Sequence, residues 1–496
     1  MAEAIGLKVG DARFWDAADL RLEADRIFDI CHSCRLCFKF CGSFPALFDL
    51  IDGKTERMRH DYLEAHPEVA AAAARRREEE AAKPQPESEP GGEVGVTYGD
   101  ELPELTAHAR DLSDVEVDRV VDLCFQCKLC YPNCPYTPPH EFAVDFPRLL
   151  LRWKAHRTRR RGVRWRTRIV RNPAAIGRLA SLVAPVANWA LRNPLNRALM
   201  EKAIGIHRQK LMPRYYTETF PKWWRRHRPR LEPMQAPREG AELATPTKVA
   251  LFSTCLIDYN DPACGRAAVH VLEHNGIEVV RPQRQVCCGM PLLEEGDVET
   301  VSKHVRRNLA VLGSWVNQGY AVVVPSPSCS LMIREEYPQL VPTAECAQLA
   351  AATRDLNEYL YRIGREGRLK RDFKRRFGTV RYHVPCHIRL QNIGIRGRDL
   401  LRLIADEVEA VQECSGHDGT WSMQVEHFEE SLRWGRKAFD GMRMEAGERC
   451  ALACTDCRLA ALHLRQGGGV DTVHPVVALA HAYGFDVGEL ASKAVE

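Results

Sequence analysis

Two cysteine runs of identical spacing, about ninety residues apart, constrain this chain more than any other feature. The first is Cys31-x2-Cys34-x2-Cys37-x3-Cys41. The second is Cys124-x2-Cys127-x2-Cys130-x3-Cys134, followed by Pro135. Each run places three thiolates on one tight loop and sends a fourth away from it. Zinc sites more often gather pairs of ligands from separate loops. Three thiolates crowded on one loop therefore favour a larger inorganic centre over a single zinc ion.

This is the spacing of a bacterial ferredoxin run, and two such runs predict two [4Fe–4S] clusters. In two-cluster ferredoxins the fourth cysteine of each run ligates the other cluster. The expected ligand sets are Cys31, Cys34, Cys37 and Cys134 for one, and Cys124, Cys127, Cys130 and Cys41 for the other. This crossing would tie distant segments together and hold the clusters within electron-transfer distance. Cys41 is followed by Gly42 rather than Pro, so that exit is less constrained.

With 496 residues the chain is long enough for several domains and a sizeable core. No stretch approaches twenty uninterrupted apolar residues, so no transmembrane helix is expected. The opening MAEAIGLKVGDARFWD carries early acids and lacks the apolar core of a secretory signal. Nineteen cysteines without an export signal predict a reducing, cytoplasmic compartment in which thiolates serve as ligands. The net charge of +4 hides an asymmetry. Arg148 to Arg230 carries 23 Lys and Arg against two acids, Glu201 and Glu218, so the remainder is net acidic. Such asymmetry points to a partner surface. It suits an acidic flavoprotein, or an anionic membrane surface met through Trp and Arg, which would make the chain peripheral on the cytoplasmic face of the inner membrane. Nucleic acid is not expected, because no recognition module accompanies the charge.

The fold class expected is α+β multidomain: a helical two-cluster ferredoxin-like domain, then a duplicated α/β domain with parallel sheets. Residues 12–147 form the first, with a flexible insert over 64–114 marked by AAAARRREEEAAKPQPESEPGG. Residues 148–244 form a basic helical connector with five of the nine tryptophans, broken at Pro185 and Pro194. Beyond it, strand-like runs at 249–254, 277–280, 321–325, 380–385 and 408–412 alternate with amphipathic helices such as Val298 to Val316. Alternation of this kind implies parallel sheets covered by helices.

This last part repeats itself, over 245–347 and 376–490. The first copy has stations at Cys255, Cys287-Cys288-Gly289 and Ser326-x2-Cys329. The second has them at Cys386, Cys414-Ser415-Gly416 and Cys454-x2-Cys457. Both match a template of Cys, Cys-Cys-Gly and Cys-x2-Cys, each short by one serine at a different place. Each copy keeps four thiols: Cys255, Cys287, Cys288 and Cys329, and Cys386, Cys414, Cys454 and Cys457. Stations at strand ends of a parallel sheet can converge on one edge. Two sites of four thiolates, or one shared site, are both open, and at least one should hold metal. Cys450, one turn before Cys454, is a spare ligand; Cys264 and Cys346 read as buried small apolar residues. His32, His383, His387, His417 and His474 lie near the stations as ligands, as donors behind the ligands, or as capping residues. No glycine fingerprint for a dinucleotide, no P-loop and no Ser-His-Asp constellation is present, so no catalytic residue is assigned. One-electron centres without an organic cofactor push substrate chemistry onto a partner.

The arrangement resembles the Cys-Cys-Gly domains found in heterodisulfide reductase, in the glycolate oxidase iron–sulfur protein and in the iron–sulfur component of anaerobic glycerol-3-phosphate dehydrogenase. The likeness runs through RIFDICHSCRLCFKFCGSFPALFDLID, KAIGIH and NLAVLGSWVNQGYAVVVPSPSCSLMIREEYP. The PSPSC form is similar to the glycerol-3-phosphate dehydrogenase branch, and the chain also looks like heterodisulfide-reductase-related iron–sulfur proteins that accompany rubrerythrin-type proteins. The resemblance implies an electron-transfer subunit of an oxidoreductase complex. It would take electrons from a flavoprotein dehydrogenase or exchange them with a rubrerythrin-type protein, and deliver them to quinone or another acceptor. It further implies an iron–sulfur cluster, or zinc, at the Cys-Cys-Gly stations. The competing implication is a thiol or disulfide reductase acting there. Disulfide-cleaving members use a full five-cysteine template, of which this chain has no complete copy.

Overall fold

The computed structural model describes residues 6–81, 105–163, 165–242, 244–417, 419–443 and 450–488, with the side chains of 76–81, 450 and 451 outside the description. It divides into two compact units, Ala18–Cys124 and Met1–Ala17 with Phe125–Glu496.

The smaller unit is helical. The helix Ala17–Cys34 buries Leu20, Ala24, Ile27 and Phe28, one face at helical spacing. The helix Ser43–Ala65 buries Phe44, Leu47, Phe48 and Ile51 in the same way, and the helix Asp114–Asp122 adds Val117, Val120 and Val121. Burying each of these phenylalanines contributes about 1.5–3 kcal/mol. Ser113 and Glu116 close a capping box that starts the last helix. The expected insert begins with a helix, Pro67–Ala81, and its middle, 82–104, lies outside the described residues. Its far end is tied down. The Arg21 guanidinium donates to the carbonyls of Ala109 and Leu112 at 3.0 and 2.8 Å, and Ala107 N–H donates to Thr55 Oγ1.

The larger unit holds two parallel sheets. The first contains β1 (Lys248–Leu251), β2 (Glu278–Val280), β3 (Ala321–Val324) and β4 (Thr353–Asp355) in the order β2-β1-β3-β4. The second contains β5 (Phe377–His383), β6 (Ala405–Val411) and β7 (Cys450–Thr455) in the order β6-β5-β7. Central strands such as Val249–Leu251 and Val322–Val324 are buried on both faces, which is why they read as unbroken apolar runs. The expected helix Val298–Val316 is present with those bounds.

One apolar core serves both repeats. Val249, Leu251, Val269 and Leu272 of the first pack in one cluster with Val380, Tyr382, Leu452 and Val476 of the second. The other face of the first sheet packs Phe252, Val322 and Val324 against Leu7, Phe14, Leu151 and Val301. The basic helix Phe146–Arg161 is therefore interior along much of its length. Its Arg152 side chain is spent on the carbonyls of Phe14 and Arg13, and His156 donates to Phe14 O at 2.6 Å. In the connector, Pro185 and Pro194 lie in the first turns of the helices Ala184–Ala190 and Pro194–Ile204, where proline is tolerated.

Candidate metal centre and its surroundings

Each repeat builds its thiol stations from strand ends. After β1, the Thr254 hydroxyl caps the helix Cys255–Tyr259, so Cys255 opens that helix. After β2 the chain reaches Cys287-Cys288-Gly289, with Gly289 in the left-handed region at φ +96. Asn308 clamps Val286 through both backbone groups at 2.9 and 3.1 Å. Tyr337 donates to Cys288 O at 3.0 Å, and His304 donates to Cys287 O at 3.0 Å. After β3, the helix Pro327–Leu331 carries Cys329, whose sulfur lies 3.2 Å from that of Cys288.

The four first-repeat thiols are thus linked in sequence, Cys255 to Cys287, Cys287 to Cys288 and Cys288 to Cys329. Cys287 is held well below its ordinary pKa because it accepts hydrogen bonds from Cys255, Cys288 and Gly289 N–H. Cys255 and Cys288 are raised correspondingly, first by those same bonds and then by burial. Linked thiols of this kind, once deprotonated, are a donor set suited to a thiophilic metal centre.

The second repeat reproduces the local turn. Gly416 N–H donates to Cys414 Sγ at 3.3 Å, as Gly289 N–H does to Cys287. Gly416 is left-handed at φ +68 and packs so closely that a Cβ there would lie 1.9 Å from Ser431 O. Cys386 opens the helix Cys386–Leu390, Cys454 is fully buried in the shared apolar core, and Cys457 caps the helix Arg458–Gly468. Burial, with a contribution from Cys329, pushes Cys457 up to about 11. Cys457 therefore stands near a first-repeat thiol. Burial raises Cys414, opposed by the Gly416 N–H and the Arg389 charge. Cys264 and Cys346 lie within the apolar cores.

In the smaller unit, Cys31 and Cys34 end the first helix, Cys37 follows in a short 3-10 turn after left-handed Arg35, and Cys41 is buried. Burial and the nearby Cys124 thiol push Cys41 well above the thiol range, so these two cysteines from different runs are neighbours. In the larger unit, Gln126 and Lys128 take left-handed conformations at φ +53 and +58, which wraps the Cys127–Cys130 segment tightly. Lys128 donates to buried Glu336 at 2.6 Å.

The five candidate histidines all have protein partners. His32 pairs with Asp52, which Arg35 and His32 hold below the carboxylate range against the cost of burial. His383 meets Thr455 Oγ1 and Glu413 O, His417 meets Ser422 Oγ, and His474 caps the helix Pro475–Tyr483. His387 bridges Gln126 O and Ser328 Oγ. Lys210, counted in the basic stretch, is buried against His463 Nδ1 at 2.8 Å and Ser422 Oγ at 3.1 Å, and burial pulls it down to about 7. A charge count carries no signal of that.

Beyond the buried helix, the connector exposes apolar side chains. Leu179, Leu182, Val186, Trp189, Leu195 and Leu199 are exposed, with Leu182 at 77% and Leu195 at 81%. Among the described residues no helix is long and apolar enough to cross a membrane.

The family description "Cysteine-rich domain" matches residues 249–334 and 380–461, one match per repeat. "Citrate utilization protein B Fer4-like domain" matches 103–160, which contains the second cysteine run. The chain is 26% identical over 313 residues to the C subunit of anaerobic glycerol-3-phosphate dehydrogenase from Escherichia coli, covering 62% of this chain and 74% of that protein. It is 28% identical over 219 residues to the B subunit of fumarate reductase (CoM/CoB) from Methanothermobacter marburgensis, covering 43% and 41%. It is 33% identical over 195 residues to lactate utilization protein A of Bacillus pumilus, covering 37% of this chain and 79% of that protein. Two of these relatives are by name subunits of oxidoreductases. With both repeats matched and most of a relative's length covered, the chain belongs to the family of cysteine-rich-domain proteins that includes lactate utilization protein A.

Proposed function

We propose that this chain is an iron–sulfur electron-transfer subunit, working between a flavoprotein dehydrogenase or rubrerythrin-type partner and quinone or another acceptor. The observation that carries the reading is the linked set Cys255–Cys287–Cys288–Cys329, in a chain that also holds two ferredoxin-type runs. Cys31, Cys34, Cys37 and Cys134 would hold one [4Fe–4S] cluster, and Cys124, Cys127, Cys130 and Cys41 another. The proximity of Cys41 to Cys124 supports the crossing. The first-repeat thiols, with Cys457 beside Cys329, would hold a further iron–sulfur centre or zinc. When bound, such centres supply one-electron steps at potentials set by hydrogen bonds and burial. The chain's own part is to present thiolates, donate N–H groups to sulfur, and keep Cys288, Cys329 and Cys454 buried.

The exposed apolar side chains of the connector support docking on an anionic membrane surface. Trp165 and Trp189 stand among Arg166, Arg168, Arg178, Arg192 and Lys202. The only acid between 165 and 204 is Glu201, already paired with Arg208. Exposed apolar side chains interspersed in sequence with exposed basic ones suit the boundary between acyl chains and anionic headgroups. The position would be peripheral, on the cytoplasmic face.

The test is anaerobic preparation of the full chain with iron, zinc and labile sulfide measured. About eight iron and eight sulfide are expected from the two runs alone, with further metal from the Cys-Cys-Gly stations. A preparation that binds no iron sinks the reading. Reduction of a disulfide substrate by the chain alone would favour the thiol/disulfide reductase instead.

A further inference from the structure

We infer that His387 is a positioning residue that joins the second ferredoxin-type loop to the Cys-Cys-Gly stations, and that an electron passes between them across its imidazole. The inference rests on the electron-transfer reading above.

Its two ring nitrogens reach two different parts of the larger unit. Nε2 lies 3.3 Å from Gln126 O, and Nδ1 lies 2.9 Å from Ser328 Oγ. A carbonyl only accepts, so Nε2 carries the proton and Nδ1 accepts from the Ser328 hydroxyl. The tautomer is thereby fixed. Each member of this bridge is bonded to a cysteine: Gln126 to Cys127, Ser328 to Cys329, and His387 to Cys386. One imidazole therefore links the second run, the first repeat and the second repeat through two hydrogen bonds.

The surroundings hold the bridge in place. His387 is 6% exposed. Gln391, at the C-terminal cap of the same helix, donates to Pro327 O at 3.2 Å and Ser330 Oγ at 3.1 Å, on either side of Cys329. Lys128 and Glu336 tie the same loop to the turn that follows Cys329. One electron leaves the side of the second run and one arrives on the Cys-Cys-Gly side. No bond forms or breaks, and the ring neither gains nor loses a proton.

The experiment uses the full chain, prepared anaerobically, as wild type, His387→Leu, His387→Gln and Ser328→Ala. Iron, sulfide and the electron paramagnetic resonance spectrum establish that each variant is loaded. Flash photoreduction then gives the rate of electron equilibration between centres. His387→Leu should keep its metal and slow equilibration by about tenfold or more, in the range for partners one step removed from a metal ligand. His387→Gln, whose amide can still donate to Gln126 O, should recover part of the rate, and Ser328→Ala should fall between. Wild-type rates in fully loaded His387→Leu overturn the inference. If that variant loses iron, Ser328→Ala decides, and an unchanged rate there overturns it equally. A wild-type chain without iron would be a distinct result, sinking the electron-transfer reading itself.

Discussion

The Lys128 ammonium lies 2.6 Å from Glu336 Oε1, with the two side chains 2% and 0% exposed. Arg148 approaches the same oxygen at 3.4 Å and also pairs with Asp145. Removing one member of a buried pair costs about 3–5 kcal/mol where the other charge is left uncompensated, and here Arg148 alone would remain to compensate Glu336. Lys128→Met should destabilise the chain by up to about that amount, while the double variant Lys128→Met with Glu336→Leu should recover much of it. Denaturant melts of the four proteins in a double-mutant cycle measure this.

The same carboxylate sets a pH dependence. Lys128 and Arg148 outweigh the cost of burial and hold Glu336 at about 2, against an ordinary 4.5. The folded value is depressed, so the contribution is complete above about pH 4.5 and is lost as pH falls toward about 2. Stability measured across that window should fall less steeply in Glu336→Gln than in wild type. Equal slopes would show that Glu336 is not ionised in the folded chain.

Cys41 and Cys124 belong to different runs yet feel each other. Under crossed ligation, Cys134→Ser should damage the cluster built on Cys31, Cys34 and Cys37 and spare the other. Cys41→Ser should do the converse. Iron content and the spectra of the two variants separate these outcomes. Loss confined to the mutated residue's own run would rule out the crossing.

Whatever leaves a local pattern is legible in the sequence. The apolar run at 321–325 is β3, and the spacing across 298–316 is a helix with those ends. β4 is not legible, because Thr-Arg-Asp offers no apolar run, and it is a strand through its pairing with β3. The thiol stations are legible as a repeated template, but the nearness of Cys457 to Cys329 is not, because it depends on how the two repeats pack. The basic connector is legible as composition alone. Its charge count does not reveal that Arg152, Lys154, Arg197 and Lys210 are buried, or that the exposed remainder carries several apolar side chains. Lys128, Glu336 and His387 gain their roles from contacts across more than 200 residues, which no window of sequence contains.

Gly416 tests whether the second repeat still needs its turn. An alanine there would sit in the left-handed region, at about 1–2 kcal/mol. Its Cβ would also collide with Ser431 O, which is backbone and cannot swing aside. Gly416→Ala should therefore lower stability by at least about 2 kcal/mol, since overpacking adds to the strain. Gly289→Ala meets side chains and not backbone, Val301 Cγ1 at 3.3 Å and Met332 Cε at 3.7 Å, and should lose chiefly the conformational part. Thermal melts that rank the two variants in the opposite order would contradict the packing at Gly416.

The connector surface makes a prediction that separates apolar insertion from simple charge attraction. Leu182 and Trp189 are among its exposed side chains, on the helix Pro173–Leu182 and the helix Ala184–Ala190. Each apolar side chain withdrawn from water contributes about 1.5–3 kcal/mol. Leu182→Gln with Trp189→Gln should therefore weaken binding to vesicles containing anionic lipid by at least about tenfold, without changing net charge or iron content. Raising salt should weaken the wild type further, since exposed charges are screened beyond about 8 Å at physiological ionic strength. Neutral vesicles should bind less than anionic ones. Vesicle sedimentation across salt, lipid charge and the paired variant reads all three effects. If the variant binds as wild type does while salt still abolishes binding, the surface is electrostatic and the apolar side chains have another occupant.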